Sequence, residues 1–325
     1  MPELSLAQAI NQALRQAMEK DDRVVILGED VGVNGGVFRI TDGLQKQFGP
    51  QRVMDTPLAE LGIVGVSVGM AAYGLKPICE IQFDGFLPAV MDQVINHFGR
   101  LRQRSQGKHA CGLILRSPHG GLVHAPEHHS ESPEAYFAHT PGIKVVIPST
   151  PKDAKGLMLA AISCPDPVVY FEPKRIYRSI KEDVPESLYE VPIGKSRVAR
   201  EGTHVTIVTW GAMAHVCLEA AQKLQAEEIS AEVLDLRTLA PLDLEGILSS
   251  VTKTGRAVVV QEAPLTCSLG SEISALISER ALLKLQAPVK RVAGWDTRTP
   301  LFRLEKYYFP DVERIIRGVK ETMNF

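Results

Sequence analysis

The sequence lacks the features that mark secreted, membrane-spanning or nucleic-acid-binding chains. Only five of its 325 residues are cysteine, at positions 79, 111, 164, 217 and 267. An odd number at scattered spacings builds neither a disulfide framework nor a CxxC metal site. No charge predominates: 36 Lys and Arg face 38 Asp and Glu, for a net charge of -2. That balance supplies no basic footprint for nucleic acid and no polybasic membrane face. The uncharged run Leu61–Leu75 is interrupted by glycines and is too short to span a bilayer. The opening MPELSLAQAI has neither the basic start nor the apolar core of a signal peptide. These absences predict a reduced, cytoplasmic protein, and the length predicts two domains of about 150 residues each.

What is present is an alternation of short apolar runs with amphipathic stretches. Leu6, Ala9, Ile10, Ala13, Leu14, Ala17 and Met18 recur at three and four, predicting a helix over 5–20 capped by Ser5. Strands are expected at 24–27, 52–54, 76–83, 112–116, 143–147 and 168–171, with helices at 40–48, 57–73, 87–104, 131–138 and 151–162. Strands so uniformly apolar, separated by helices, imply a parallel sheet covered on both faces. Between Glu172 and Glu201 the periodicity fades and Pro173, Pro185 and Pro192 punctuate a polar stretch. The alternation then resumes, with strands at 205–210, 231–236, 256–261 and 288–293 and a last helix near 311–323. The expected division is a first α/β domain over 1–180, a linker over 181–202, and a smaller α/β domain over 203–325.

Several near-motifs fail. Gly194-Lys195-Ser196 has Tyr189 where a phosphate loop needs glycine, and no GxGxxG follows the first strand. Gly65-Val66-Ser67-Val68-Gly69 matches GxSxG but lies inside a helical run, not on a strand-to-helix elbow. His124-Ala-Pro-Glu-His128-His129 invites a zinc reading, yet Pro126 breaks the helix that HExxH geometry requires.

Asp55-Thr56-Pro57-Leu58-Ala59-Glu60-Leu61-Gly62 opens the most apolar helix. Pro57 fits its first position with Thr56 as cap. Glu60 then stands one turn in, amid Leu58, Leu61, Ile63 and Val64. Buried there, it would hold its proton and act as a donor. Exposed, it would merely complement the helix dipole, and the residues alone favour that second reading.

A wider set of segments bears on the choice. Gly28-Glu29-Asp30-Val31-Gly32, Asp55–Glu60, Glu80-Ile81-Gln82-Phe83, His129-Ser130-Glu131-Ser132 and Pro141–Val146 occur in order along the chain. Asp153–Leu157, Asp235-Leu236-Arg237-Thr238 and Lys253-Thr254-Gly255-Arg256 follow. Together they resemble the beta subunit of the thiamine-diphosphate-dependent, decarboxylating component of 2-oxo acid dehydrogenase complexes, a transketolase-like family. The resemblance runs from about residue 4 to 325. It implies a thiamine-diphosphate-binding fold, a pyrimidine-binding parallel-sheet domain followed by a smaller α/β C-terminal domain. It also reverses the reading of Glu60, which becomes the acid that hydrogen-bonds the cofactor's aminopyrimidine ring. By the same resemblance Phe86 packs on that ring, Leu58 and Gln82 are neighbouring cofactor contacts, and His129 is the active-site histidine. Some members hold potassium through backbone oxygens at positions matching Leu113, Ala161, Ile162, Cys164 and Asp166, although Cys164 and Pro165 depart from the usual loop.

The family's magnesium and diphosphate anchor, a Gly-Asp-Gly segment, does not occur here. The resemblance assigns it to an alpha subunit, in an alpha-two beta-two heterotetramer that serves a lipoyl-bearing acyltransferase core. The expected reaction is oxidative decarboxylation of a 2-oxo acid with acyl transfer to the lipoyl group. Ser132-Pro133-Glu134-Ala135 and Phe171–Arg175 look like branched-chain members, which makes branched-chain 2-oxo acids the expected substrates. Val123–Glu127 and Phe86 are similar to pyruvate members, the alternative. Outside this family stand a non-catalytic binding module, which intact Glu60 and His129 argue against, and a zinc hydrolase using the His loop.

Overall fold

The computed structural model describes residues 2–325. Two compact units emerge: residues up to His119 with Tyr136–Ile193, and Gly120–Ala135 with Gly194–Phe325. Residues 120–135, inside the expected first domain, cluster with the second unit.

In the first unit a short ribbon joins β1 (Glu3–Ser5) antiparallel to β8 (Lys181–Asp183). The main sheet contains β2 (Val24–Gly28), β3 (Val53–Asp55), β4 (Lys76–Glu80), β5 (Ile114–His119), β6 (Lys144–Val146) and β7 (Val168–Pro173). Its order is β6-β7-β5-β4-β2-β3, and every pair is parallel. All of β2, β5 and β7 is buried, the condition that the uniformly apolar runs imply. The helix Leu6–Lys20 starts in a capping box: Gln8 N donates to Ser5 Oγ at 3.4 Å, and Ser5 N to Gln8 Oε1 at 2.9 Å. That helix packs its buried face against Pro151–Ser163.

The second unit holds β9 (Arg197–Arg200), β10 (Val205–Thr209), β11 (Ala231–Asp235), β12 (Thr238–Ala240), β13 (Ala257–Pro264) and β14 (Lys290–Gly294). Five of them order as β14-β13-β10-β11-β9, parallel except for β9 at the edge. Val205, Ile207, Val233, Val258 and Val260 meet Cys217, Leu224, Ile315 and Val319 in its core. The α/β class and parallel sheets expected from the sequence are thus observed. No helix among the described residues is long and apolar enough to cross a membrane.

Three local expectations need correction. The segment 87–104 is not one helix: a 3-10 stretch Asp84–Val90 containing Pro88 leads into Met91–Gln93, a π turn Val94–Phe98, and Leu101–Arg104. A proline ring inside a helix removes a donor and clashes with the preceding turn. The helix expected from Pro57 starts at Glu60, with Ala59 at its cap position and no side-chain cap. Thr56 is held back instead, its N–H donating to Gly28 O at 3.0 Å. An extra helix, Phe302–Tyr308, occupies a stretch with no assigned element.

Candidate functional site

In the first unit the candidate residues follow the carboxyl ends of β2, β3 and β4, where parallel α/β sheets bind ligands. The loop after β2 is stitched to the end of β3. Gly32 N and Val33 N donate to the Asp55 carboxylate at 2.6 and 3.0 Å, and Thr41 Oγ1 donates to Val31 O at 2.6 Å. A side chain at Gly32 would collide with that carboxylate and with the Gln45 amide. Gln82, two residues past β4, donates to Asp30 Oδ2 at 3.1 Å. The sequence-predicted Gln82 and the start of the β2 loop are therefore brought together.

Glu60 opens its helix half-buried, because Leu58 (83 % exposed) and Leu61 (46 % exposed) turn outward while Ile63 and Val64 turn in. The expected burial falls on a different acid. Glu29 is 4 % exposed, and neither carboxyl oxygen has a hydrogen-bond partner. Burial holds its pKa up, and the neighbouring charges of Glu60 and Asp30 push it in the same direction. Glu29 lies in a segment that carries the family resemblance, yet nothing in its sequence context marks an unpartnered carboxyl. An orphaned acid next to Glu60 is the donor chemistry that a nitrogen heterocycle with an amino substituent would answer. The residues present thus fit a pyrimidine.

A carboxyl that binds its proton more tightly when folded costs stability above its ordinary pKa of 4.5, and the cost grows as pH rises through the raised value. Glu29→Gln should therefore gain thermal stability over the parent chain as pH rises from about 4 to 8, with no gain at the acid end. The slope is the readout, since the amide's own unmet hydrogen bonds cost the same at every pH. A melting-temperature difference that stays flat across this range would contradict the burial argument.

Phe86 is half-buried at the end of a ring series. Phe83 meets it edge-on at 6.0 Å, Phe38 meets Phe83 at 5.6 Å, and Tyr177 meets Phe38 at 5.1 Å. Beneath this loop runs an ionic frame that no sequence pattern marked. Lys174 and Asp84 form an ion pair with both side chains fully buried. Arg116 grips Glu172 with two nitrogens, at 2.7 and 2.8 Å, and also pairs with Glu80, while Tyr177 donates to Glu172 at 2.6 Å.

Of the residues matched to potassium ligands, Leu113 O accepts from Val168 N at 3.0 Å and Ala161 O from Cys164 N at 3.2 Å. Ile162 is buried in the helix before the loop. Lys144 Nζ lies 3.0 Å from Cys164 Sγ and 3.2 Å from Asp166, whose other oxygen takes Arg102 at 2.7 Å. The side chains of this loop thus already meet two protein cations.

The His loop belongs to the second unit. His129 is half-buried, its Nδ1 2.6 Å from Glu127 O, while His124 and His128 are exposed. A cleft of about 250 Å³ lies between residues 125–128 with Ser130 and Glu131 on one side and Arg298–Leu301 on the other. Among the described residues no three His, Cys, Asp or Glu side chains gather to hold a metal, so the zinc reading finds no ligand set. The GxSxG serine is also accounted for: Ser67 is buried mid-helix and donates back to Ile63 O at 2.7 Å.

This architecture defines a class. Residues 2–179 match the family model of the transketolase pyrimidine-binding domain, and residues 194–315 match that of the transketolase C-terminal domain. A solved structure described as a split-gene transketolase, inactive beta4 tetramer, superposes with a TM-score of 0.81 at 22 % identity, covering 99 % of this chain and 98 % of that one. At that identity the likeness speaks for the fold. The pyruvate dehydrogenase E1 component subunit beta of Acholeplasma laidlawii is 51 % identical over 98 % of this chain and 97 % of its own length. The protein of the same name from Bacillus subtilis is 49 % identical over the full length of both. The chain belongs to the transketolase-like family of E1 beta subunits of 2-oxo acid dehydrogenases, a family associated with thiamine diphosphate.

Proposed function

We propose that this chain is the beta subunit of a pyruvate dehydrogenase, and that with an alpha subunit it decarboxylates pyruvate on thiamine diphosphate and passes the acyl group to a lipoyl carrier. The observation that carries the reading is the acid pair Glu29 and Glu60 beside the β2 and β3 loop ends, in a chain that matches pyruvate-type beta subunits end to end. The substrate reading moves accordingly from branched-chain 2-oxo acids to pyruvate. The segments 132–135 and 171–175 that suggested the former are outweighed by near-half identity over the whole chain to relatives named for pyruvate.

Thiamine diphosphate, when bound, supplies the carbon nucleophile and the electron sink that decarboxylation of a 2-oxo acid requires. Glu60 would share its proton with the aminopyrimidine ring, and Glu29, whose pKa burial raises, would disfavour a second negative charge beside it. Phe86 and Leu58 would cover the flat ring and exclude water, with Gln82 ordering the loop through Asp30. His129 would hold or deliver a proton during acyl transfer. Magnesium and the diphosphate would be held by the alpha subunit. Potassium would meet Lys144 and Arg102 already on the Cys164 and Asp166 side chains, leaving it backbone oxygens alone.

The test is calorimetric titration of thiamine diphosphate into this chain, the alpha chain and their mixture, with and without magnesium. The chain alone should bind weakly and release no carbon dioxide. The mixture should bind tightly, gain stability from the cofactor by mass action, and favour pyruvate over a branched-chain 2-oxo acid by about tenfold or more in kcat/KM. Tight binding and turnover by the chain alone would overturn the shared-site reading, and a branched-chain preference would overturn the substrate.

A further inference from the structure

The helix Phe302–Tyr308 is built inside out. Phe302, Leu304 and Tyr307 are 62 %, 56 % and 64 % exposed, while its acid Glu305 is 2 % exposed. On a surface helix the apolar residues ordinarily face inward and the acid outward. A buried carboxylate persists only where donors answer it. Here the donors are three consecutive backbone N–H groups at the start of the His loop. Leu122 N and Val123 N donate to Oε1, the latter at 3.3 Å, and His124 N donates to Oε2 at 3.2 Å. Successive N–H groups that converge on an anion form a nest, and this one is filled by the protein's own side chain. At this turn Leu122 and His124 hold φ of +59° and +56°, a left-handed conformation that a leucine rarely adopts.

The rest of the loop is tied to the same neighbourhood. Gly121 N donates to the buried Glu262 carboxylate at 3.3 Å, and Thr299 Oγ1 donates to Ser130 O at 3.2 Å. His124 meets Phe302 edge-on at 5.9 Å. Both ends of the stretch carrying His129 are therefore anchored to residues 299–305 or β13, and the 122–124 turn depends on the Glu305 carboxylate, while His128 at the other end also holds a positive φ of +68°.

We propose that Glu305 is a positioning residue for His129: by clamping the 122–124 turn it preorganises the His-bearing loop for acyl transfer. The inference rests on the reading of His129 given above. It extends that reading, because it places part of the apparatus for the reaction in a helix of the C-terminal unit.

Glu305→Ala and Glu305→Gln, assembled with the alpha subunit, test it in two ways. Hydrogen exchange should speed up at least about tenfold across Leu122–His124 in Glu305→Ala, which strands three donors. Glu305→Gln, which keeps one acceptor oxygen, should fall between it and the parent. In the activity arm, kcat for acyl transfer should fall by about tenfold or more, with the thiamine diphosphate Kd within about twofold of the parent. Combining Glu305→Ala with His129→Ala should cost no more than His129→Ala alone, because a residue that acts through another loses its effect when that other is gone. Unchanged exchange in Glu305→Ala, or losses that multiply in the double variant, would overturn the proposal. Should the alanine chain not fold, the glutamine variant alone decides by the same exchange and double-variant criteria. A parent assembly with no turnover of any 2-oxo acid would overturn the functional reading and the proposal with it, while the exchange result would still report on the clamp itself.

Discussion

Glu60→Gln is expected to abolish most decarboxylation while leaving the fold and much of the cofactor affinity in place. The amide has nearly the volume of the carboxyl and still hydrogen-bonds, but it cannot exchange a proton. Glu60 stands at the first position of its helix, half-buried beside the loop after β2. Glu29, buried with no partner of its own, opposes a second negative charge close by. Two acids set close together are an arrangement suited to holding one proton between them and a heterocycle. Loss of a positioned acid–base group costs about 10²–10⁴-fold in rate. Turnover should therefore fall by that order in the alpha–beta assembly, with calorimetry showing thiamine diphosphate still bound. Near-parental turnover with Gln at position 60 would remove Glu60 from the chemistry.

Arg116→Met should give the largest loss of stability. Arg116 lies on β5 with 1 % of its side chain exposed, and it is the cation for two buried carboxylates, Glu80 on β4 and Glu172 on β7. Three strands of the sheet are thereby cross-linked at the ends that carry the candidate site; Ile81 N donates to Arg116 O at 3.0 Å just before Gln82. Removing one partner of a buried ion pair costs about 3–5 kcal/mol, because the other charge is left in a low-dielectric interior. Against a typical total of about 5–15 kcal/mol, that removes much of the folded population. Denaturant midpoints and soluble yield should drop steeply. Arg116→Lys should fail in part, because an ammonium cannot reproduce the two-pronged grip on Glu172. Neutralising the partners in Arg116→Met/Glu80→Gln/Glu172→Gln should restore a substantial part of the loss. If the triple variant is no better than the single one, the defect lies in packing and the charge argument fails.

The pattern of apolar runs is enough to specify the architecture. Strands buried on both faces must be apolar throughout, so Val24–Leu27 and Val168–Phe171 announce themselves, and the alternation with helices leaves a parallel sheet as the arrangement that buries them. Edge strands carry no such obligation, which is why Glu3–Ser5 and Arg197–Arg200, polar and short, gave no signal. The candidate residues Glu60, Gln82, Phe86 and His129 were reached through a collinear set of segments, none of them specific alone. Tertiary structure decided what pattern cannot carry. Pro57 and Thr56 are ordinary helix-start residues, yet Thr56 N donates to Gly28 O at the end of β2 and the helix starts only at Glu60. The residues around Glu60 favour an exposed acid and the resemblance a buried one; Glu60 is half-buried because Leu58 and Leu61 face outward, and the fully buried acid is Glu29. Phe302–Tyr308 breaks the rule that apolar faces turn inward, since its Glu305 is claimed by backbone N–H groups some 180 residues earlier in the chain. Arg116 finds its carboxylates 36 and 56 residues away. Local periodicity records which residues must leave water; which buried charge meets which donor is settled only when distant segments are packed together, because a charge inside the protein is stable only beside the group that answers it.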